Sequence, residues 1–183
     1  MTAKVAAAPE QAFEAVMTVS ASEMPLASGL FLMRMLPASR RQRAAAAAGR
    51  KRPLIDALMG TPGFLHLEGP EGNWGAFGYV GKPWTLRGGA RRLTREEYEA
   101  FDEPGYAKVA TDFVATADGA GSLLSTTTRI HLTDEQARRA FRRYWLAVKW
   151  GSWAVRKDWL RAARRRAQQG LPSTDEFGTP WRT

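Results

Sequence analysis

The chain has 183 residues, 44% of them hydrophobic, and a formal net charge of +9. That length and apolar content suit one globular domain with a full core, not a disordered segment. It has no cysteine, which excludes disulfides, thiolate metal sites and a cysteine nucleophile, and it fits a reducing cytoplasm.

Residues 1–10 lack the basic start and apolar run of a signal peptide. No stretch reaches the roughly 18 apolar residues of a membrane span. Residues 4–8 read as a short strand. Pro9 suits a first helical turn, where a missing N–H costs nothing, and 10–19 place Phe13, Val16 and Met17 at helical spacing. Residues 24–36 are apolar and helical in pattern, broken at Gly29 and ended by Pro37. From Arg34 to Arg52 there are seven bases and no acid, around the alanine run 44–48. Alanine favours helix, but this stretch has no apolar face to dock, so 39–52 reads as a connector or a frayed surface helix.

Residues 53–59 form a short helix in this reading, closed by Gly60, Pro62 and Gly63. The period then changes to two. Residues 64–68 and 73–80 are strands around a turn at 69–72, with Phe77 and Tyr79 on one face. Residues 84–87 continue extended. Thr94 with Glu97 has the capping-box spacing, so 94–101 is a capped helical turn. Residues 106–116 and 122–132 form a hairpin turning at 118–121. Thr133 or Asp134 caps a long helix that runs to about Gln168 and ends at Gly170 and Pro172. Residues 1–170 thus make one domain, and 171–183 a tail. Hairpins followed by a single long helix give an α+β domain. A long helix laid across an antiparallel sheet leaves a gap that suits an apolar ligand.

The long helix holds the charge. Residues 138–166 carry eleven Lys or Arg and one acid, Asp158, so the rest of the chain is close to neutral. On a helical wheel Ala137, Phe141, Tyr144, Trp145, Val148, Ser152, Val155, Trp159 and Ala163 share a core face. A second set, Leu146, Trp150, Trp153 and Leu160, lies among arginines on the other side. Large aromatics there need cover. Another part of the chain, a second subunit through the Trp150/Trp153 face, or peripheral contact with an anionic membrane would each supply it.

No catalytic constellation is evident. His66 and His131 stand on different strands, no metal-ligand spacing occurs, and neither glycine cluster has the pattern of a phosphate loop. No cofactor is expected. In the strand 122–132, Leu124, Thr126, Thr128 and Ile130 share the face expected to meet the helix, opposite Ser125, Thr127, Arg129 and His131. Val109, Thr111 and Phe113 are the inward residues of the preceding strand, with Phe77, Tyr79 and Trp84 completing the wall. The candidate ligand contacts are therefore Phe77, Tyr79, Trp84, Val109, Phe113, Thr126 and Thr128 from this side. Phe141, Trp145, Val148 and Ser152 come from the helix. Arg129 joins them as a partner for a ligand carboxylate if its strand faces the other way.

Several segments together resemble one superfamily: 5–13 (VAAAPEQAF), 23–27 (EMPLA), 78–84 (GYVGKPW), 101–108 (FDEPGYAK), 126–129 (TTTR), 141–145 (FRRYW), Gly151-Ser152 and 159–161 (WLR). In order and spacing they look like an uncharacterised bacterial group of the START-like (SRPBCC) superfamily, over about residues 3–168. The resemblance implies a helix-grip fold, a curved antiparallel sheet wrapped around a long C-terminal helix, with an internal cavity for an apolar or amphipathic ligand. Where the pattern has a glutamate before Thr-Arg this chain has Thr127, which removes a carboxylate partner for Arg129. Where it has proline before Gly-Ser this chain has Trp150. The expected function is binding or carriage of a lipid, fatty acid or polyketide-like molecule. A cyclase or aromatase-like enzyme is the alternative, tested at Thr126, Thr128, Tyr79 and Arg129. An anionic-surface binder acting through the basic helix is a further one. Nucleic acid is not the expected partner, because half of that helix must serve as core.

Overall fold

A computed structural model describes residues 1–26, 51–85 and 88–170, without the side chains of 69–71. The elements in order are β1 (Thr2–Val5), α1 (Pro9–Thr18), a 3-10 turn (Ala21–Glu23), α2 (Leu54–Met59), β2 (Phe64–Glu71) and β3 (Trp74–Gly81). They continue with α3 (Arg95–Ala100), β4 (Ala107–Asp118), β5 (Gly121–Leu132) and α4 (Glu135–Gln169). The five strands form one antiparallel sheet in the order β1-β5-β4-β3-β2. Strands β2 to β5 are a simple meander. The first strand returns to pair with β5, in register Val5 opposite Ser122. The expected α+β class, with an antiparallel sheet and one long C-terminal helix, is what the chain adopts.

Several boundaries move. The first strand lies at Thr2–Val5 rather than 4–8, because its partners on β5 end at Ser122 beside the β4–β5 turn. The second strand runs on to Glu71, and the chain reverses at Gly72, whose φ of +59° is left-handed. Trp84 sits in a turn rather than an extended segment, with the Thr85 amide bonded back to the Lys82 carbonyl at 2.9 Å. Asp134, not Thr133, caps α4: its carboxylate accepts the Ala137 amide at 2.7 Å. Thr133 instead ties its hydroxyl to the Tyr106 backbone. The expected tail 171–183, and most of the segments 24–36 and 39–52, lie outside the described residues.

The two sheet faces are packed differently. The inner face meets α1 and α4 in the main core, which includes Phe13, Val16, Met17, Phe77, Phe113, Leu124, Trp159 and Leu160. Each such side chain stabilises the fold by about 1.5–3 kcal/mol on full burial. The outer face carries a smaller core of Val80, Tyr98 and Tyr106 under α3. The capping box predicted for α3 is present, with Thr94 and Glu97 bonded reciprocally. Tyr98 then lies over Gly78 so closely that a Cβ there would meet its ring at 2.9 Å.

Helix α4 is locked to the N-terminal part by specific polar ties. The Trp159 indole N–H donates to the Val16 carbonyl at 2.9 Å. That carbonyl belongs to the last turn of α1, where no intrahelical donor remains. Residues 20–26 cross the C-terminal half of α4 as a strap. Arg165 donates to the Glu23 carbonyl at 3.0 Å, Arg166 to the Glu23 carboxylate at 3.1 and 3.3 Å, and the Leu26 amide to Asp158 at 2.9 Å. The one acid in that basic stretch is thus buried and used to hold backbone. Burial alone would raise the Glu23 carboxyl, but the Ser20 amide and hydroxyl and the Arg166 guanidinium outweigh it and hold it below the ordinary glutamate value.

Candidate ligand-binding cleft

Register decides the sheet wall. Phe77 is opposite Thr111, which is opposite Thr128; Tyr79 is opposite Val109, which is opposite Ile130; Phe113 is opposite Thr126. Directly opposed residues share a face, so these eight form one wall. They are the inward residues that the period-two pattern implied. The facing wall is α4. Trp159 packs on Phe113 with ring centroids 5.0 Å apart. Phe141 lies eighteen residues earlier, about five full turns at 3.6 residues each, and so shares the face of Trp159. Trp145, Val148 and Ser152 lie between them on the same stripe.

Burial along this stripe is uneven. Near one end Trp159 is 6% exposed and Phe113 2%; near the other Ala137 is 1% exposed. Between them Phe141, Trp145, Val148 and Ser152 are only half-buried. The sheet residues across from the middle behave alike: Val109, Thr111 and Thr128 are half-buried, and Ile130 is 36% exposed. Sheet and helix therefore meet tightly around Trp159 and less closely from Ser152 back to Phe141. Phe141 and Trp145 stack, with centroids 5.6 Å apart and planes 17° apart, and Trp84 meets Phe141 edge-on at 6.3 Å. These aromatics line the end of the cleft nearer the start of α4.

Polar groups are sparse on this face. The Thr111 and Thr128 hydroxyls bond each other at 3.1 Å. The Thr126 hydroxyl is buried without a partner. Tyr79 donates its hydroxyl to the Gly88 carbonyl at 3.3 Å. Arg156, one turn after Ser152, is half-buried, and its Nε is inaccessible and without a partner. Sequence reasoning counted Arg156 only among the charges of the helix. Its spacing from Ser152 and Trp159, which puts it beside the core stripe, was the available signal. His66, read from the sequence as a lone strand histidine, stands opposite Phe77 and so belongs to the inner face at the β2 edge, exposed.

Arg129 requires a correction. It projects from the outer face, where its guanidinium pairs with Asp112 at 2.6 Å, and cannot line the same wall as Thr126 and Thr128. Asp112 also accepts the Thr127 amide at 2.9 Å, so it serves as the carboxylate partner that position 127 itself lacks. His131 is on this outer face too, 4.0 Å from Asp102. A depression of about 380 Å³ lies there, bounded by Tyr98, Phe101, Lys108, Arg129 and His131. Burial raises the Tyr98 phenol above its ordinary value. A second depression, of about 260 Å³, lies by Trp84, Lys82 and the start of α4. Among the described residues no cluster of His, Asp and Glu has the geometry to hold a metal ion.

Comparison with known protein families, with curated proteins and with solved structures finds no match to this chain. Among the described residues, no helix is long and apolar enough to cross a membrane. Chemically, the inner cleft offers aromatic and aliphatic walls with isolated hydroxyls. Among the described residues this wall is chemically suited to contact with an apolar molecule and carries no hydrogen-bonded acid–base pair.

Proposed function

We propose that this protein binds a small hydrophobic or amphipathic molecule, of the lipid, fatty-acid or polyketide-like class, between the sheet and α4 in the manner of a helix-grip carrier. One observation carries this reading: apolar side chains on two facing walls stay half-exposed between Phe141 and Ser152, while the same interface is packed around Trp159. Leaving Phe141, Trp145, Val148 and Ile130 half-wet forgoes stabilisation that closer packing would supply, which a ligand restores on entry. The resemblance to START-like proteins points the same way. The half-buried Thr111 and Thr128 hydroxyls and the Arg156 guanidinium are the polar groups available to a head group. A cyclase-like activity has less support, since Arg129 is tied to Asp112 on the other face.

The test is displacement of a fluorescent fatty acid, with native mass spectrometry of the protein as purified. Wild type is expected to bind at micromolar or better affinity. Val148→Trp, which fills midspan, is expected to weaken binding by about tenfold or more while the unfolding free energy stays within about 1 kcal/mol of wild type. Absence of any bound or displaceable apolar molecule in the wild type, or full binding by Val148→Trp, would refute the proposal.

A further inference from the structure

The second aromatic set on α4 divides in two. Leu160 is 2% exposed, within the core, whereas Leu146, Trp150 and Trp153 are 69%, 71% and 46% exposed. Their wheel positions lie within about 60° of one another, on the side away from Trp159. They form a narrow apolar stripe near the middle of a helix about 50 Å long at 1.5 Å per residue. Arg139 and Arg143 stand exposed before this stripe, and Arg161 and Arg164 after it. Two further cations sit on the aromatic rings themselves: Lys149 Nζ is 5.2 Å from the Trp150 centroid and Lys157 Nζ 4.3 Å from that of Trp153.

We infer that the outer face of α4 docks on a bilayer surface that carries anionic lipid. Indole rings favour the boundary between head groups and acyl chains, where their apolar body and N–H are both satisfied. Lys and Arg beside them extend past the rings to lipid phosphates. A second copy of the chain fits this face poorly. A two-fold contact would set one array of arginines largely against an identical array, since the acid on this face, Glu135 at the start of α4, is already paired with Arg139 at 3.5 Å. A nucleic acid would take the charges but would leave Leu146 and Trp150 without an apolar surface to cover them. Charge sign and exposed apolar groups together select the lipid surface. This inference does not depend on the cleft being a ligand site.

The experiment is co-sedimentation of the full chain with vesicles of phosphatidylcholine alone and with about 30% phosphatidylserine, together with Trp fluorescence. The expected result is binding to the mixed vesicles with a blue shift, little binding to phosphatidylcholine alone, and weakening of at least tenfold between 0.05 and 0.5 M salt. Trp150→Ser with Trp153→Ser is expected to lose at least tenfold. Arg143→Glu with Arg164→Glu provides a second, independent loss without removing any apolar group. Circular dichroism is expected to be unchanged in both, because all four positions are exposed. Val148→Trp retains vesicle binding. Failure to bind the mixed vesicles overturns the inference. So does a dimer that Trp150→Ser dissociates, or tighter binding to duplex DNA than to the vesicles.

Discussion

Replacing Trp159 with phenylalanine tests the packing on which the cleft depends. The indole is 6% exposed, its N–H is the partner of the Val16 carbonyl at 2.9 Å, and its ring rests on Phe113 at 5.0 Å. Phenylalanine keeps much of the ring contact but leaves a buried carbonyl without a donor, at a cost of about 1–3 kcal/mol. The missing part of the indole adds about 1 kcal/mol of lost burial and packing. The expected loss is therefore roughly 2–4 kcal/mol, against a total stability of about 5–15 kcal/mol for a domain of this kind. Urea unfolding followed by circular dichroism reads it directly. With a slope of about 2 kcal/mol per molar, the midpoint falls by roughly 1–2 M while the slope is unchanged. Trp150→Phe is the control: at 71% exposure it should stay within about 0.5 kcal/mol of wild type. Equal effects at the two positions, or a loss below about 0.5 kcal/mol at Trp159, would mean that α4 does not present this face to α1 and the sheet.

Three further expectations follow from particular contacts. Glu23→Gln should cost about 1–2 kcal/mol at pH 7, because it weakens charge-assisted bonds from Arg166 and Ser20. Since folding lowers the Glu23 value, its contribution is complete above the unfolded glutamate value and disappears as pH falls through the folded one. The variant should thus show a flatter acid limb in a stability-versus-pH series; an identical limb would contradict the assignment. Gly78→Ala should lower stability by about 1–3 kcal/mol in thermal unfolding, since the added methyl meets the Tyr98 ring at 2.9 Å. Asp134→Ala removes the cap of α4 and should cost about 1 kcal/mol, measured by urea unfolding, with Asp134→Asn restoring most of it.

Local patterns carried much of this fold. The alternation in 122–132 told which residues turn inward, because a one-residue error would have placed Arg129 and His131 in the core. The Thr94–Glu97 spacing located α3, and the Phe141-to-Ala163 stripe marked the buried side of α4. What escaped the sequence was non-local. Nothing in residues 2–5 says that they pair with β5, since strand pairing depends on where distant segments meet. The Arg129–Asp112 pair lies across two strands, so its formation could not be read from either alone. Leu160 looked equivalent to Trp150 and Trp153 on the wheel but is buried, because the contacts made by α4 are broader near its C-terminal end. For the candidate cleft, the wall residues were legible from period and wheel position. Trp84 reaches Phe141 only because the chain turns at 83–85, and the lone Nε of Arg156 is visible only in three dimensions.

The ties on α4 are unevenly spaced. Thr133, just before α4, ties its beginning to the Tyr106 backbone, while Trp159, Asp158, Arg165 and Arg166 fasten its far half. Gly151 and Ser152 fall in the stretch with neither kind of restraint. A rod pinned at both ends yields by bowing in the centre, not by swinging open like a door. Amide exchange should accordingly be fastest around 147–153, and a bridging staple across that segment should slow exchange there while leaving the two anchored ends untouched.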